Sequence, residues 1–475
     1  MRGLVWFRED LRTHDNTALY HAAKQCDEGI AALYIIDENM WIAHDTAACK
    51  IEFILRGLKL LQSDLDKLNI TLYVLSVKST ASIPQEIHKL ISIIQADALF
   101  FNRQYEINES RRDQSVEKHL SQYDISTYAY HDQIILPPGS VKTLQNTNYS
   151  VFTPYKRAWH TVFSQSDIKI LPPPRIQDKL NLTNESKVPD TLLKFKSDID
   201  PTLWPAGQLH AKKVLQKFIS DKLFHYDKDR DFPSIEGTSK LSPYLCTGMI
   251  SARYCFLKAL ESNHNELDTG NKGATTWMGE LIWRDFYKHI LFNEPRVSMH
   301  QAYKTETDNI NWNHDETLFS AWKSGQTGYP MIDAAMRQLN TTGWMHNRLR
   351  MVVAMFFTKN LFLDWRLGEK YFMSRLIDGD LAANNGGWQW SASTGTDSAP
   401  YFRIFNPIRQ SERFDPDGEF IIQYCPELKM LTKKNIHDPS RHGEIKMNYP
   451  KPIIELNKNR DKVLTAFKTC NIRKL

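Results

Sequence analysis

Cysteine is scarce and scattered. Six occur in 475 residues (Cys26, Cys49, Cys246, Cys255, Cys425 and Cys470), and none forms a CxxC pair. That spacing excludes a zinc ribbon or a disulfide framework, and it fits a reducing cytosol with no bound metal. No apolar run approaches the ~18–20 residues of a membrane span. No low-complexity tract or internal repeat is present. The first apolar stretch, MRGLVWFREDLR, meets charge at once, which excludes a secretory leader. Without one, the Asn-X-Ser/Thr matches at Asn148, Asn181 and Asn184 read as chance. No GxGxxG follows the first predicted strand, so the usual dinucleotide fingerprint is missing. A strong bias of charge is missing too: 60 Lys and Arg face 55 Asp and Glu. The resulting pI of about 8.6 is compatible with a polyanionic partner but does not require one.

Tryptophan is plentiful by contrast. Of 12 in the chain, all but Trp6, Trp41 and Trp159 fall after residue 200. The two halves therefore differ in chemistry. The first half alternates predicted strands (3–7, 31–37, 71–77, 96–102, 126–131) with helical stretches (16–25, 49–67, 84–94, 109–120). Such alternation predicts a doubly wound parallel sheet, with ligands beyond the carboxyl ends of its strands. A proline-rich connector follows, interrupted by a predicted helix at 152–163 that holds Lys156. Beyond it the patterns are helical: 208–221, 243–261, 274–292, 315–323, 330–341, 345–360 and 368–376. The expected domains are an α/β domain at 1–135, a connector at 136–205 and an all-helical domain at 206–475.

Three segments of the helical half carry chemistry. In 276–290, Trp277, Glu280, Arg284 and Tyr287 recur at helical spacing, with Trp283 beside them. Aromatics mixed with both signs of charge suit planar polar rings, such as bases or a flavin; a partly buried helix with a surface ion pair is the plainer alternative. In 345–360, Asn347 and Met351 lie one turn apart, flanked by Arg348 and Arg350. At 237–245, Ser242 before Pro243 reads as an N-cap. The hydroxyls of Thr238, Ser239 and Ser242 gather at that helix start, which favours a phosphate. Arg230, Arg284, Arg348, Arg403 and Lys156 could line a phosphate track. The most telling stretch is DGDLAANNGGWQWSASTGTDSAPYFRIFNP (378–407). There Gly386-Gly387 suggests close approach of backbone to a flat or bulky group. Asp378, Asp380, Asn384 and Asn385 supply acceptors and donors beside Trp388 and Trp390.

These motifs resemble the cryptochrome/photolyase family, most closely its bacterial class I cyclobutane pyrimidine dimer photolyases. The resemblance spans nearly the whole chain, through VWFREDLRTHDNTAL (5–19), FNRQYEINE (101–109), RDFPSIEGTSKLS (230–242), WMGELIWRDFY (277–287), TGYPMIDAAMRQLNTTGWMHNRLRM (327–351) and 378–407. It implies FAD, working as FADH⁻, in the helical domain. Tyr226, Thr238, Ser239, Lys240, Leu241, Ser242, Trp277, Arg350, Asp378, Gly379, Asp380 and Asn384 match flavin-binding positions, with Arg350 as the partner of Asp378 and Asn384 facing flavin N5. Glu280 matches the carboxylate that touches the damaged thymines. Trp283, Trp390, Asn347 and Met351 match lesion contacts. Related (6-4) enzymes carry histidines where this chain has Asn347 and Met351, which favours the cyclobutane lesion. Arg230 resembles a DNA-phosphate contact; Arg284, Arg348 and Arg403 are candidates for the same role. Trp388, Trp365 and Trp312 match a photoreducing tryptophan chain. His44, Asn108 and Glu109 match positions for a 5,10-methenyltetrahydrofolate antenna, although Ser298 and Met299 replace the Cys-Lys of close relatives.

The resemblance thus implies a cytoplasmic, monomeric lyase that repairs pyrimidine dimers in DNA by light, with no obligate protein partner and no membrane. The rivals are a cryptochrome-type light receptor, which often adds a long C-terminal tail, and a flavin-free single-strand-binding module.

Overall fold

The fold was obtained as a computed structural model, which describes residues 1–180, 187–441 and 448–472. Asn181 and Asn184 lie outside the described residues. The chain forms two compact units: Met1–Phe224 with Ser239–Pro295, and His225–Thr238 with Arg296–Leu475.

The first unit is built on a five-stranded sheet: β1 (Gly3–Phe7), β2 (Ile30–Asp37), β3 (Leu72–Val77), β4 (Ala98–Asn102) and β5 (Ser126–Tyr130). The order is β3-β2-β1-β4-β5, parallel throughout. β1 and β4 are buried at every position, because helices cover both faces of a parallel sheet. The winding direction reverses between β1 and β4, where such sheets bind ligands. Here that crevice is closed by side chains: Asn102 donates to Asp10 at 2.7 Å and to Asn16 at 3.0 Å.

The connector's helix Phe152–Ser164 packs with the long helix Lys272–Asn293 in the same unit. Asp285, fully buried on the long helix, accepts from the backbone N–H of Ile135 and Leu136, each at 3.2 Å, and from the Trp159 indole at 3.1 Å. Burial pushes its carboxyl up to about 6.

The helix expected over 243–261 is two helices, Ser242–Cys246 and Ala252–Ser262. Gly248 separates them at φ +67, where a Cβ would overlap the backbone of Glu9 and Asp10. Only glycine allows that approach. Likewise, the helix expected over 345–360 is Asn347–Met355 followed by a π-helical turn, Phe356–Asn360.

The second unit is helical. Its core gathers Trp312, Trp322, Trp365 and Trp388 with Phe356, Phe357 and Phe372. Helices Asn347–Met355 and Trp365–Arg375 both pack on Leu381–Ala392. The C-terminal helix Arg460–Ile472 adds Phe467 to this core. All six cysteines are buried thiols. Among the described residues no helix is long and apolar enough to cross a membrane.

Candidate flavin and antenna sites

Residues 381–392 form a helix, and the glycine pair lies inside it. Asp380 caps Leu381–Ala392 by accepting from the Ala383 N–H at 3.1 Å. Gly387 lies within that helix, and a Cβ there would meet nothing within 4 Å. The close approach expected of the glycine pair is therefore not to protein backbone at Gly387; that face opens on a cavity.

The cavity, about 140 Å³, belongs entirely to the second unit. Arg350, Asp378, Asp380, Asn384, Asn347 and Met351 line it together with Trp388 and Phe372. Sequence positions nearly 40 apart converge because one wall is the helix Asn347–Met355 and the other is Leu381–Ala392. His346 caps the first of these helices. Its Nδ1 accepts from the Arg348 N–H at 3.2 Å, and burial lowers it to about 4, so it stays neutral.

Arg350 Nη2 reaches both oxygens of Asp378, at 3.0 and 2.7 Å, while its Nε holds the Met345 carbonyl at 2.9 Å. The expected partnership is thus formed. Asn384 donates its amide N–H to the Glu369 carbonyl at 3.0 Å, which leaves its own oxygen as the acceptor available to the cavity. Asn385 donates to the Glu369 carboxylate at 2.9 Å and accepts from Gln389 at 2.8 Å. Glu369, which no motif singled out, therefore steadies both asparagines; its contact spans 15 residues, beyond any local pattern. The lining fits an isoalloxazine. Met351, Phe372 and Trp388 offer apolar walls, and Asp378, Asp380 and Asn384 offer acceptors for ring and ribityl donors.

Trp388, Trp365 and Trp312 share the buried core at 2%, 0% and 5% exposure, and none of the three indole N–H groups has a partner. Trp388 rests on Gly368, one turn beyond Trp365, where a Cβ would clash with its ring. Its ring neighbours are Phe372 at 5.0 Å, Phe357 at 5.6 Å and Trp322 at 6.0 Å. Trp322 was not among the relay candidates, yet it is the indole in ring contact with Trp388. Trp312 packs on Phe362 at 5.1 Å.

Elsewhere in this unit, Arg230 lies over the Tyr226 ring at 5.2 Å. Arg348 pairs with Asp231 at 2.7 Å and lies over Phe414 at 4.5 Å. Trp390 is half-buried, Thr238 is half-buried and Arg403 is exposed. Gly379 donates its N–H to the Leu376 carbonyl at 3.2 Å.

In the first unit, Glu280, Trp283, Arg284 and Tyr287 form a half-buried stripe on Lys272–Asn293, whereas Trp277 is buried against Phe218. Trp283 stacks on Phe152 with centroids 3.6 Å apart. Arg284 is committed to the carbonyls of Gln133 and Leu245. Leu241, not Ser242, is the cap position of the short helix Ser242–Cys246, and no side chain caps it. Ser239 instead accepts from the Leu241 N–H at 3.4 Å, next to Lys240 at φ +52.

The antenna candidates also come together. Asn108 Nδ2 lies 3.0 Å from His44 Nε2, and His44 Nδ1 lies 3.3 Å from Glu109. They sit beyond the carboxyl ends of β2 and β4. Burial, then Glu106, pushes Glu109 up to about 8, while burial lowers His44. At neutral pH the contact is a hydrogen bond between uncharged groups rather than an ion pair. The second oxygen of Glu109 is buried without a partner.

Residues 3–175 match the model of the DNA photolyase family, and residues 277–469 match the FAD binding domain of DNA photolyase. A deoxyribodipyrimidine photo-lyase of Vibrio cholerae is 43% identical over 98% of this chain and 99% of its own length. One from Escherichia coli is 41% identical over 98% of each. Among solved structures, a class III photolyase from Agrobacterium tumefaciens superposes with a TM-score of 0.86 at 32% identity, covering 99% of this chain and 98% of its own. A cryptochrome from Synechocystis gives 0.87 at 26% identity, covering 98% and 99%. The chain belongs to the photolyase/cryptochrome family. Its cofactor is FAD, and a folate antenna is typical of the family.

Proposed function

We propose that this chain is a light-driven lyase that repairs cyclobutane pyrimidine dimers in DNA. The observation that carries the reading is one cavity in which Asp378, paired to Arg350, and the oriented amide of Asn384 face Asn347 and Met351.

Asp378, Asp380 and Asn384 would hold the flavin ring and ribityl chain; Tyr226, Thr238, Ser239, Lys240, Leu241, Ser242, Trp277 and Gly379 would bind the rest of the cofactor. Bound in its reduced form, FAD would supply the light-driven one-electron chemistry that splits the dimer with no net redox change. The protein contributes position and charge. Arg230, Arg348 and Arg403 grip DNA phosphates; Arg284 has the same proposed role, although its guanidinium also ties two carbonyls. A dimer already poorly stacked leaves the duplex at a cost of a few kcal/mol. Trp390, Asn347 and Met351 contact the extruded dimer from the second unit, and Trp283 of the first unit has the same proposed role. Glu280 shares a proton with the thymine as charge develops on it. Trp388, Trp365 and Trp312 form the proposed electron relay to the flavin. His44, Asn108 and Glu109 bind a folate antenna, 5,10-methenyltetrahydrofolate. The domain division is 1–135 for the antenna, 136–205 as connector and 206–475 for FAD and DNA. The protein acts as a monomer in the cytoplasm.

The test is to illuminate the purified, reduced protein with thymine-dimer DNA and follow the recovery of thymine absorbance. Repair is expected; intact dimers beside reduced flavin would overturn the reading. Glu280→Ala should slow repair. Trp312→Phe should block photoreduction of oxidised protein yet leave repair by chemically reduced protein intact.

A further inference from the structure

The helix Leu381–Ala392 carries Asn384, Trp388 and Trp390, and a lysine from another element holds its C-terminal end. Lys359 is 1% exposed and lies in the π-helical turn Phe356–Asn360. Its ammonium donates to the Ala392 carbonyl at 3.0 Å and to the Ser393 hydroxyl at 2.9 Å. It also lies 4.1 Å over the ring of Phe467. Among the described residues no ion pair includes it. A buried ammonium is costly unless its donors are satisfied. Here the negative end of a helix dipole and an aromatic face replace a carboxylate.

The same helix end is knotted by the residues that follow it. Ser393 adopts φ +69. The N–H groups of Ser393 and Ala399 donate to the Trp390 carbonyl at 3.3 and 3.2 Å. Those of Thr394 and Gly395 donate to the Gln389 carbonyl at 3.0 and 3.1 Å. Lys304 reaches the Ser398 hydroxyl at 2.6 Å and gives its N–H to the Thr394 carbonyl at 2.9 Å. Lys359 therefore grips a junction that also fixes the backbone of Trp390.

We propose that Lys359 is a positioning residue whose ammonium clamps the C-terminal end of the Leu381–Ala392 helix and so sets the pose of the Trp390 indole against a flipped-out pyrimidine dimer. This rests on the reading of Trp390 as a lesion contact. Trp388 is wedged among Phe357, Phe372 and Trp322, so loosening the last turn disturbs Trp390 more than the cavity wall. The clamp has a charge switch. Burial, with repulsion from Lys304 added, holds Lys359 down at about 7. Lys304 is the titratable group that faces it; the helix end presents the Ala392 carbonyl and Ser393, and the C-terminal helix presents Phe467. As pH rises through neutrality the charge is lost, and with it the attraction to the helix dipole.

The experiment measures, in the dark, the affinity of the flavin-loaded protein for a duplex with one thymine dimer and for the same duplex undamaged. Wild type, Lys359→Arg and Lys359→Met are compared between about pH 6 and about pH 8.5. The wild-type preference for the dimer should fall several-fold across that range. Lys359→Arg should keep its low-pH preference throughout, because a guanidinium does not discharge. Lys359→Met should already be about tenfold less selective at low pH, with the flavin-to-protein absorbance ratio unchanged. A wild-type preference independent of pH, or a methionine variant matching wild type at pH 6, overturns the clamp. Should the methionine variant not fold, the wild-type profile and the arginine variant still decide. Absence of any dimer preference at every pH would overturn the repair reading itself; a preference without pH dependence sinks the clamp alone.

Discussion

The His44–Glu109 contact of the first unit and the Arg350–Asp378 contact of the second each set a carboxylate against a basic side chain, and the two differ in geometry: one oxygen is met in the first pair and both in the second. At His44 and Glu109 the basic partner can give up its proton. Burial and the neighbouring Glu106 push Glu109 up to about 8, so the pair goes neutral. At Arg350 and Asp378 the guanidinium approaches both carboxylate oxygens, at 3.0 and 2.7 Å. The first arrangement offers uncharged donors and acceptors to a polar heterocycle. The second fixes a negative charge inside an aromatic wall. The surroundings follow the same division: the strand ends of the first unit are knitted by side-chain amides and carboxylates, whereas the core of the second is tryptophan and phenylalanine.

The sharpest way to break this contrast is Asp378→Ala, which strands Arg350 without its partner. We expect a loss of about 2–3 kcal/mol, read as a lower melting temperature together with a reduced flavin-to-protein absorbance ratio. Unchanged flavin content would show that the pair does not hold the cofactor. Next in size is Gly368→Ala, which drives a methyl into the Trp388 ring. Overpacking of this kind costs about 1–3 kcal/mol, and near-ultraviolet circular dichroism should report the displaced indole.

The smallest effect belongs to the His44–Glu109 contact and depends on pH. The Glu109 carboxyl is raised in the folded protein, so its burial costs nothing below the ordinary carboxylate range. The cost grows as pH rises and is complete above about 8. Glu109→Gln should therefore raise the melting temperature by roughly 2–4 °C at high pH and leave it unchanged below about pH 4. An equal gain at both would mean that the carboxylate is charged throughout.

Much of this was legible locally. Strand-helix alternation placed all five strands, and the motif at 378–407 pointed to the residues that line the cavity. Three local readings were off: the unbroken helix over 243–261, the plain α-helix over 345–360 and the Ser242 cap. The break at Gly248 is imposed by the backbone of Glu9 and Asp10, distant in sequence. The Gly386-Gly387 pair lies inside a helix capped by Asp380, despite a cost of about 0.5–1 kcal/mol per glycine. Glu369, Lys359 and Trp322 gave no signal. A lone glutamate, lysine or tryptophan at ordinary helical spacing is indistinguishable from a solvated or core residue until its neighbours are known.

Periodicity, turn chemistry and the residue types at short spacing were enough to fix the strands, the helical half and the family, because each of these is written in residues close together along the chain. Charge states, the orientation of the Asn384 amide, the packing around Trp388 and the grip of Lys359 on a helix end were decided only by the tertiary structure. Each depends on burial and on partners many residues away, and a linear pattern carries neither.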